Sequence, residues 1–113
     1  MKKELAFFED ILKSMELIER YLENKSEEDF MYSQQVQDAV VRRLEIIGEA
    51  AKRITNETKE KYPQIPWRQI TGMRDIIAHE YDGIDYGIVW NTCEVDLPEL
   101  KEKLLSIFNK IKG

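Results

Sequence analysis

The sequence predicts an all-α protein, an up-and-down bundle of four to five helices. Apolar residues recur every three or four positions along most of the 113-residue chain, which is the spacing of helices that each bury one face. No stretch alternates apolar and polar residues in the way that a half-buried strand does. The length fits one domain, which we expect to span residues 1–113.

The first half of the chain predicts two long helices. The first covers residues 3–24 and ends at Asn24-Lys25-Ser26. Ser26, followed by the acidic residues 27–29, has the pattern of a helix N-cap, because a hydroxyl accepts from the free N–H groups and the helix dipole favours acids in the first turn. A second long helix follows, and residues 55–58 break it.

Prolines and glycines divide the second half of the chain. Pro66 heads a short helical segment, and Gly72 marks a break before another helical stretch over residues 73–78. Asp85 can cap a last long helix. Pro98 lies inside that helix, so we expect the helix to kink or restart there.

Charge is distributed unevenly along the sequence. The chain has 17 Lys and Arg against 22 Asp and Glu, a net charge of −5, which alone argues against a polyanionic partner. Residues 42–74 nevertheless carry a net charge of +4, between acidic segments of −5 and −4. A local positive patch is what binds a phosphate backbone, although the same charges are also typical of solvated helix faces. The candidate RNA-binding residues in this segment are Arg42, Arg43, Lys52, Arg53 and Arg68.

Cysteine usage and apolar run lengths limit the class of protein. The single cysteine, Cys93, excludes an internal disulfide and has no partners for a zinc site. No run approaches the roughly 18 apolar residues of a membrane span, and the first residues lack a signal-peptide pattern. We therefore expect a cytoplasmic protein with no membrane association and no cofactor.

The second helix carries two further features. Glu45 and Glu49 are four residues apart, as in carboxylate metal sites, but the chain has one histidine and no second Glu-x-x-His element, so no metal site is predicted. Gly48 in mid-helix costs about 1 kcal/mol relative to Ala and indicates a close helix crossing. Glu49 could then lie near residues on the crossing segment.

That one histidine, His79, lies in the run Arg74-Asp75-Ile76-Ile77-Ala78-His79-Glu80-Tyr81. On a helix, Arg74 and His79 are offset by roughly 140° and about 7.5 Å, so both can border one groove where the helix meets a partner. An arginine grips phosphate with two hydrogen bonds, a histidine moves a proton near neutral pH, and a tyrosine hydroxyl can contact a substrate oxygen. These groups suit cleavage of RNA through its 2′-hydroxyl, whereas a lone histidine is otherwise often structural.

Arg74 is followed after four residues by His79, and His79 after one residue by Tyr81. This spacing is the R-x4-H-x-Y pattern of HEPN-domain proteins. The chain resembles in particular the HepT-like toxins of MNT/HEPN toxin–antitoxin systems. The resemblance extends over essentially the whole chain, and the stretches that carry it, in the same order as in that family, are residues 26–30, 44–51, 62–67, 72–75 and 97–100.

The resemblance implies a helical bundle that pairs as a homodimer and brings two copies of the motif into one cleft. It implies a metal-independent endoribonuclease, the toxin of a type II-like toxin–antitoxin pair, acting on RNA, with tRNA as one expected substrate. By position, Arg74 is the phosphate-binding catalytic residue, His79 the general acid and base, and Asp75 a residue that orients its neighbours. An MNT-type nucleotidyltransferase antitoxin would silence the toxin by attaching AMP to Tyr81, which also lines the site.

Two other classes of function fit the same residues. The chain could be a non-catalytic helical subunit that binds nucleotide or substrate for a nucleotidyltransferase, with Arg74 holding phosphate and no bond broken. It could also be an assembly protein whose dimer interface is its purpose.

Overall fold

A computed structural model describes residues 2–77 and 83–113. Three long helices form the frame: α1 (Leu5–Leu22), α3 (Gln34–Arg53) and α7 (Leu97–Lys112). Four short helices lie between them: α2 (Glu27–Met31), α4 (Asn56–Lys61), α5 (Trp67–Thr71) and α6 (Tyr86–Asn91). The part of the chain that the structure describes contains no strand, and the prediction of an all-α bundle is confirmed.

The core lies where α1 packs along α3 on one side and against α7 on another. The apolar stripes that predicted these helices are the surfaces that become buried. Each fully buried side chain of this kind stabilises the fold by about 1.5–3 kcal/mol. The central side chains are Phe8, Ile11, Met15 and Ile18 from α1, Leu44 and Ile47 from α3, and Leu104 and Ile107 from α7.

Ser26 begins a helix as predicted. Its hydroxyl accepts a hydrogen bond from the backbone N–H of Asp29 at 3.1 Å, and the Asp29 carboxylate accepts one from the Ser26 N–H at 2.9 Å. This reciprocal capping box satisfies two N–H groups that a helix start otherwise leaves free. Asn24, at φ 60°, ends α1 just before it, in the left-handed conformation that asparagine tolerates.

The helix that Ser26 begins is short, and a separate helix, α3, begins soon after it. The helix α2 ends at Met31, and the Ser33 hydroxyl caps α3 by accepting from the Val36 N–H at 3.3 Å. The buried side chain of Gln37 donates to the backbone oxygens of Phe30 and Met31, at 3.1 and 3.0 Å. These two hydrogen bonds from one side chain satisfy backbone oxygens that the end of α2 leaves without a partner in the helix. The chain therefore turns there instead of continuing as one helix into α3.

Residues 55–58 end α3 and also begin α4. The Thr55 hydroxyl accepts from the Thr58 N–H at 3.3 Å. Glu4, which is 8% exposed, accepts from the Thr55 N–H at 2.9 Å, from the Thr55 hydroxyl at 3.0 Å and from the Thr58 hydroxyl at 2.7 Å. One buried carboxylate thus joins the residues before α1 to the turn between α3 and α4.

The helical region after Asp85 begins at the predicted cap and begins again near Pro98, as predicted. Asp85 Oδ1 accepts from the N–H groups of Gly87 and Ile88 at 3.0 and 3.2 Å, which confirms the predicted cap. Helix α6 runs into a π-helical segment, Thr92–Asp96, and α7 then begins with Pro98 in its first turn. Proline is tolerated there because the first N–H groups of a helix have no partner within it.

Candidate active site

Arg74 stands at the end of a segment that α5 anchors to the core. Trp67, at the start of α5, donates its indole N–H to the backbone oxygen of Tyr62 at 3.0 Å. Its ring meets Phe8 of α1 edge to face, with centroids 6.1 Å apart. Trp67 therefore anchors α5 to α1, and α5 carries the following residues at a defined place beside the bundle.

The residues after α5 form a tighter turn than the sequence predicts. Gly72–Arg74 is a 3-10 turn, in which the Asp75 N–H donates to Gly72 O at 2.9 Å and the Ile77 N–H to Arg74 O at 3.2 Å. Gly72 does mark a break, and the helical stretch expected over residues 73–78 is, as far as Ile77, a 3-10 turn and a further turn instead of an α-helix. Because a 3-10 turn has 3.0 residues per turn, the α-helical offset derived for Arg74 and His79 does not apply to this segment.

This tight turn lies directly against Gly48 of α3. A Cβ atom built on Gly48 would lie 3.0 Å from Arg74 Cβ, 3.1 Å from Arg74 N and 3.3 Å from Thr71 O. Contacts this short are tighter than those of nearly all Cβ atoms, so a side chain here would displace the neighbouring turn, and glycine allows the close approach. The close crossing predicted from Gly48 is confirmed, and the segment that crosses there is the one that carries Arg74.

Some residues of this turn face solvent and others pack against the core. Arg74 and Asp75 are exposed, and neither side chain forms an ion pair or hydrogen bond with another described residue. Ile76 and Ile77 are half-buried against the core. The Arg74 guanidinium therefore projects from a fixed backbone position and is available to an anionic ligand.

His79 and Tyr81, the other two residues of the motif, lie outside the described residues. The described chain resumes at Gly83, which has a φ of 76°, a left-handed conformation that favours glycine. The assignments of His79 as general acid and base and of Tyr81 as AMP acceptor thus stay predictions.

The predicted RNA-binding residues of α3 lie on two sides of that helix. Lys52 lies roughly 40° from Gly48 around the helix axis, so it is on the side that meets Arg74. Arg53 lies roughly 140° from Gly48, and its guanidinium is placed over the Phe7 ring of α1, 6.0 Å from the ring centroid. Lys52 and Arg74 therefore share one side of α3, and Arg53 faces another.

The remaining candidates are also distributed over more than one surface. Arg42 and Arg43 lie roughly 120° and 140° from Gly48 around α3, away from the side that meets Arg74. Arg68 is exposed on α5, six residues before Arg74. By helix geometry, Lys52 thus lies on the side of α3 that meets Arg74, and Arg42, Arg43 and Arg53 lie on other sides of α3.

Two carboxylates near Gly48 also differ in position. Glu49 lines a shallow pocket of about 90 Å³ with Phe7, Asp10 and Arg53, between α1 and α3. Glu45 lies roughly 60° from Gly48, on the Arg74 side, and is half-buried. From its spacing with Glu49, Glu45 was weighed only as a metal ligand, whereas its spacing of three residues from Gly48 is the signal that places it on the side of α3 that meets Arg74.

The side chains that could bind a metal ion are not clustered in the described part of the chain. Within residues 2–77 and 83–113, no three His, Cys, Asp or Glu side chains are grouped so that they could hold a metal ion. Cys93 is buried in the core, where its burial and, to a smaller extent, Glu94 raise the pKa of the thiol to about 12. Among the described helices, none has the length and apolar content needed to cross a membrane.

Comparison with known proteins places this architecture in a family. The family model described as ribonuclease HepT-like matches residues 11–107. A Methanocaldococcus jannaschii protein named "Gamma-glutamylcyclotransferase and putative RNase" is 46% identical over 112 residues, which are 98% of this chain and 50% of that protein. Another protein of that organism, named "Putative RNase", is 43% identical over 108 residues, which cover 96% of this chain and 89% of that protein.

A third relative carries the family name itself. The "Probable ribonuclease HepT" of Thermococcus cleftensis is 45% identical over 97 residues, which are 86% of this chain and 88% of that protein. This chain thus spans half of the first relative and about nine-tenths of the other two. No solved structure is significantly similar to it. The family match covers most of the chain and confirms the resemblance: the chain belongs to the HepT-like ribonuclease family.

Proposed function

We propose that this chain is a metal-independent endoribonuclease that cuts RNA through attack of a 2′-hydroxyl on the adjacent phosphorus. The observation that carries the proposal is the placement of Arg74. Its backbone is held against Gly48, and its exposed side chain has no ion pair with any described residue. A guanidinium held in this way is always charged and can grip a phosphate with two hydrogen bonds.

The proposed reaction needs one proton acceptor and one cation. His79 removes the proton from the 2′-hydroxyl, the O2′–P bond forms, and the P–O5′ bond breaks as the protonated His79 imidazole gives a proton to the leaving 5′-oxygen. Arg74 stabilises the charge that builds on the non-bridging phosphate oxygens. The products are a 2′,3′-cyclic phosphate and a 5′-hydroxyl. Asp75, beside Arg74 in the same turn, orients its neighbours.

The basic residues would bind the rest of the RNA. Lys52, on the Arg74 side of α3, and Arg68 of α5 would contact phosphates near the scissile bond. Arg42, Arg43 and Arg53 would contact more distant parts of a folded RNA such as tRNA. Because phosphate contacts release counterions, we expect affinity to fall steeply with salt.

The proposal includes a homodimer and a partner. Two copies of the motif in one cleft would supply a second arginine and histidine, which a single chain lacks because it has one histidine. The chain would act in the cytoplasm as the toxin of a type II-like toxin–antitoxin pair. An MNT-type nucleotidyltransferase antitoxin would silence it by attaching AMP to Tyr81.

The catalytic assignment is tested with RNA cleavage in EDTA. The parent chain should cut RNA and leave cyclic phosphate ends, and Arg74→Ala and His79→Ala should each abolish cutting. Arg74→Lys should cut poorly, because lysine keeps the charge without the two-pronged hydrogen bonding. The exposed Lys110 of α7 offers the control, since Lys110→Ala should cut like the parent chain.

An RNA with a single 2′-deoxy nucleotide at the scissile position separates this mechanism from attack by water. Such an RNA should resist cleavage, because the attacking oxygen is missing. Cleavage of that RNA, or full activity of both Arg74→Ala and His79→Ala, contradicts the proposal. RNA that stays intact while a nucleotide raises the melting temperature of the protein supports instead a non-catalytic subunit of a nucleotidyltransferase.

The silencing step has its own test. After co-expression with a neighbouring nucleotidyltransferase, the intact mass of the chain should rise by whole AMP groups. The rise should be absent from Tyr81→Phe. An unchanged mass of the parent chain, or an equal rise in Tyr81→Phe, shows that Tyr81 is not the acceptor.

A further inference from the structure

A groove of about 340 Å³ lies between α1 and α7, and Arg74 is not among the residues that line it. Leu105 and Phe108 of α7, both half-buried, form part of its apolar lining. The segment that carries Arg74 packs instead on α3 and α5. The α1 residues that line the groove, here called the α1 set, are Glu9, Leu12, Lys13, Glu16, Leu17 and Arg20.

The α1 set has an internal symmetry. Its residues form three couples about a midpoint between Ser14 and Met15, and in each couple the two members lie equally far from that midpoint. The couples are Glu9 with Arg20, Leu12 with Leu17, and Lys13 with Glu16. Two of them join opposite charges and the third joins two leucines. Read backwards, the set is therefore the same pattern with its charges reversed.

The four charged members lie on one line of the helix surface. At about 100° per residue, Glu9, Lys13, Glu16 and Arg20 fall within roughly 30° of a common direction. The core residues Ile11, Met15 and Ile18 occupy the opposite side of α1. All four charged side chains are exposed, so the whole line faces solvent beside the groove.

These charges are not paired within the described chain. Glu9 with Lys13 and Glu16 with Arg20 have the spacing of helical ion pairs. The ion pairs formed among the described residues are nevertheless those of Lys101 with Glu19 and of Lys103 with Glu99. The four charges of the α1 set are thus available to a partner that presents the complementary order.

We propose that this partner is a second copy of the chain, with its α1 antiparallel to the first. A two-fold axis midway between the two helices sets each residue at the height of its counterpart in the other copy. Glu9 then faces Arg20 of the second copy, and Lys13 faces Glu16, so the two-fold axis generates four ion pairs. Leu17, Leu105 and Phe108 supply apolar surface beside them.

This contact differs from the homodimer proposed around Arg74, and it does not depend on ribonuclease activity. A chain that uses both two-fold contacts assembles into tetramers or larger species. Electrostatic complementarity of this kind sets the register and choice of partner more than the affinity. The assembly is therefore expected to depend on concentration and to weaken as salt rises.

Two double variants that exchange charged residues of the α1 set distinguish ion pairs between copies from ion pairs within one α1 helix. The double variant Glu9→Lys/Lys13→Glu keeps both four-residue spacings within the helix attractive, but it places like charges opposite each other in all four contacts between copies. It also makes the three-residue spacing of residues 13 and 16 repulsive, an effect on helix stability that circular dichroism detects. The double variant Glu9→Lys/Arg20→Glu does the reverse: it makes both helical spacings repulsive and keeps all four contacts attractive. Both variants retain the net charge of the parent chain, so each is the control for the other.

The mass in solution is measured by sedimentation equilibrium at low salt over a range of concentrations. We expect the mass of the parent chain and of Glu9→Lys/Arg20→Glu to reach at least twice that of Glu9→Lys/Lys13→Glu. Equal masses for all three, or a loss of mass confined to Glu9→Lys/Arg20→Glu, overturns the proposal. Circular dichroism confirms that each variant is folded.

A third variant tests the apolar part of the contact. Leu17→Glu introduces a charge at a half-buried position of the groove and should halve the mass while the chain stays helical. RNA cleavage by a chain that carries Glu9→Lys/Lys13→Glu should match the parent, because the α1 set contains none of the residues proposed to bind or cleave RNA. If this variant keeps the parent's mass but loses cleavage, the α1 set binds RNA instead of a second copy.

Discussion

Gly48 and Arg74 are in contact through their backbones. A Cβ atom added to Gly48 would lie 3.0 Å from Arg74 Cβ and 3.1 Å from Arg74 N. Helix α3 therefore sets the position of the proposed phosphate-binding arginine, although the two residues are 26 positions apart in the sequence. The absence of a side chain at Gly48 is thus a requirement of the site more than of the helix.

Gly48→Ala should impair RNA cleavage more than it impairs stability. Alanine favours the helix by about 1 kcal/mol over glycine, which offsets part of the roughly 1–3 kcal/mol cost of overpacking. The added methyl group pushes the Arg74 backbone by a few tenths of an ångström. Since a misplacement of about 1 Å can cost on the order of 100-fold in rate, we expect a loss of about tenfold. Cleavage assays and urea unfolding of the same preparation measure the two effects.

Gly72→Ala is the matched control for this prediction. Gly72 lies two residues before Arg74, has an ordinary helical φ of −72°, and a Cβ atom there would meet nothing within 4 Å. Its cleavage rate should equal that of the parent chain. A Gly48→Ala protein that cuts as fast as Gly72→Ala would show that the contact does not position Arg74.

Glu4→Gln should lower stability at neutral pH and matter less in acid. Burial raises the pKa of the Glu4 carboxyl, but hydrogen bonds from Thr58 and Thr55 outweigh it and hold the pKa below its usual value of 4.5. The stability from a carboxylate with a lowered pKa is present above about pH 4.5 and is lost as pH falls through the folded pKa. Loss of the charged acceptor should cost about 1–3 kcal/mol at pH 7.

Urea unfolding from pH 3 to pH 7 measures this difference between Glu4→Gln and the parent chain. Thr58→Val, which removes one donor to Glu4, should show part of the same pH dependence, and Thr58→Ser, which keeps the hydroxyl, should show little change. A stability difference that stays constant over the whole range is incompatible with a role for the Glu4 charge.

Cys93 should be unreactive in the folded protein. Burial, with a smaller effect of Glu94, raises the pKa of its thiol to about 12 from the usual 9.0, so almost no thiolate forms at pH 8. Iodoacetamide should modify the unfolded chain at pH 8 and leave the folded chain nearly untouched. Rapid modification of the folded chain would contradict the burial of this residue.

The same pKa shift predicts a loss of stability in alkali. A raised pKa in the folded state means that the stabilising contribution is complete below about pH 9 and is lost as pH rises towards 12. Unfolding of Cys93→Ala and of the parent chain should be compared from pH 7 to pH 11. The parent should lose more stability over this range, whereas parallel curves would show that Cys93 does not titrate differently on folding.

The sequence predicts the long helices well because their apolar spacing is a local property that the core then uses. Ser26 and Asp85 cap helices as predicted, since a capping side chain bonds to N–H groups two or three residues away. The separation of α2 from α3 was not predicted. It depends on hydrogen bonds from the Gln37 side chain to backbone oxygens six and seven residues earlier in the chain. The start of α4 at Thr55 likewise involves Glu4, which is 51 residues away.

The candidate site was predicted only in part. The pattern of Arg74, His79 and Tyr81, together with the resemblance along the chain, predicted the family, which the comparisons confirm; the role of Arg74 stays a prediction. The 3-10 turn around Arg74 was missed, because α and 3-10 turns use the same residues and differ only in the hydrogen-bond partner.

The order of residues along this chain is enough to predict that it is helical, that it belongs to the HepT-like ribonuclease family, and which residues are candidates for chemistry. The packing of the helices is needed to see that Arg74 meets the side of α3 that carries Lys52 and Glu45, and that Arg53 lies over Phe7. Periodicity assigns a residue to a face of its own helix, but which neighbour covers that face depends on how the helices pack. Here that choice rests on Gly48, where the missing side chain lets the Arg74 turn contact α3.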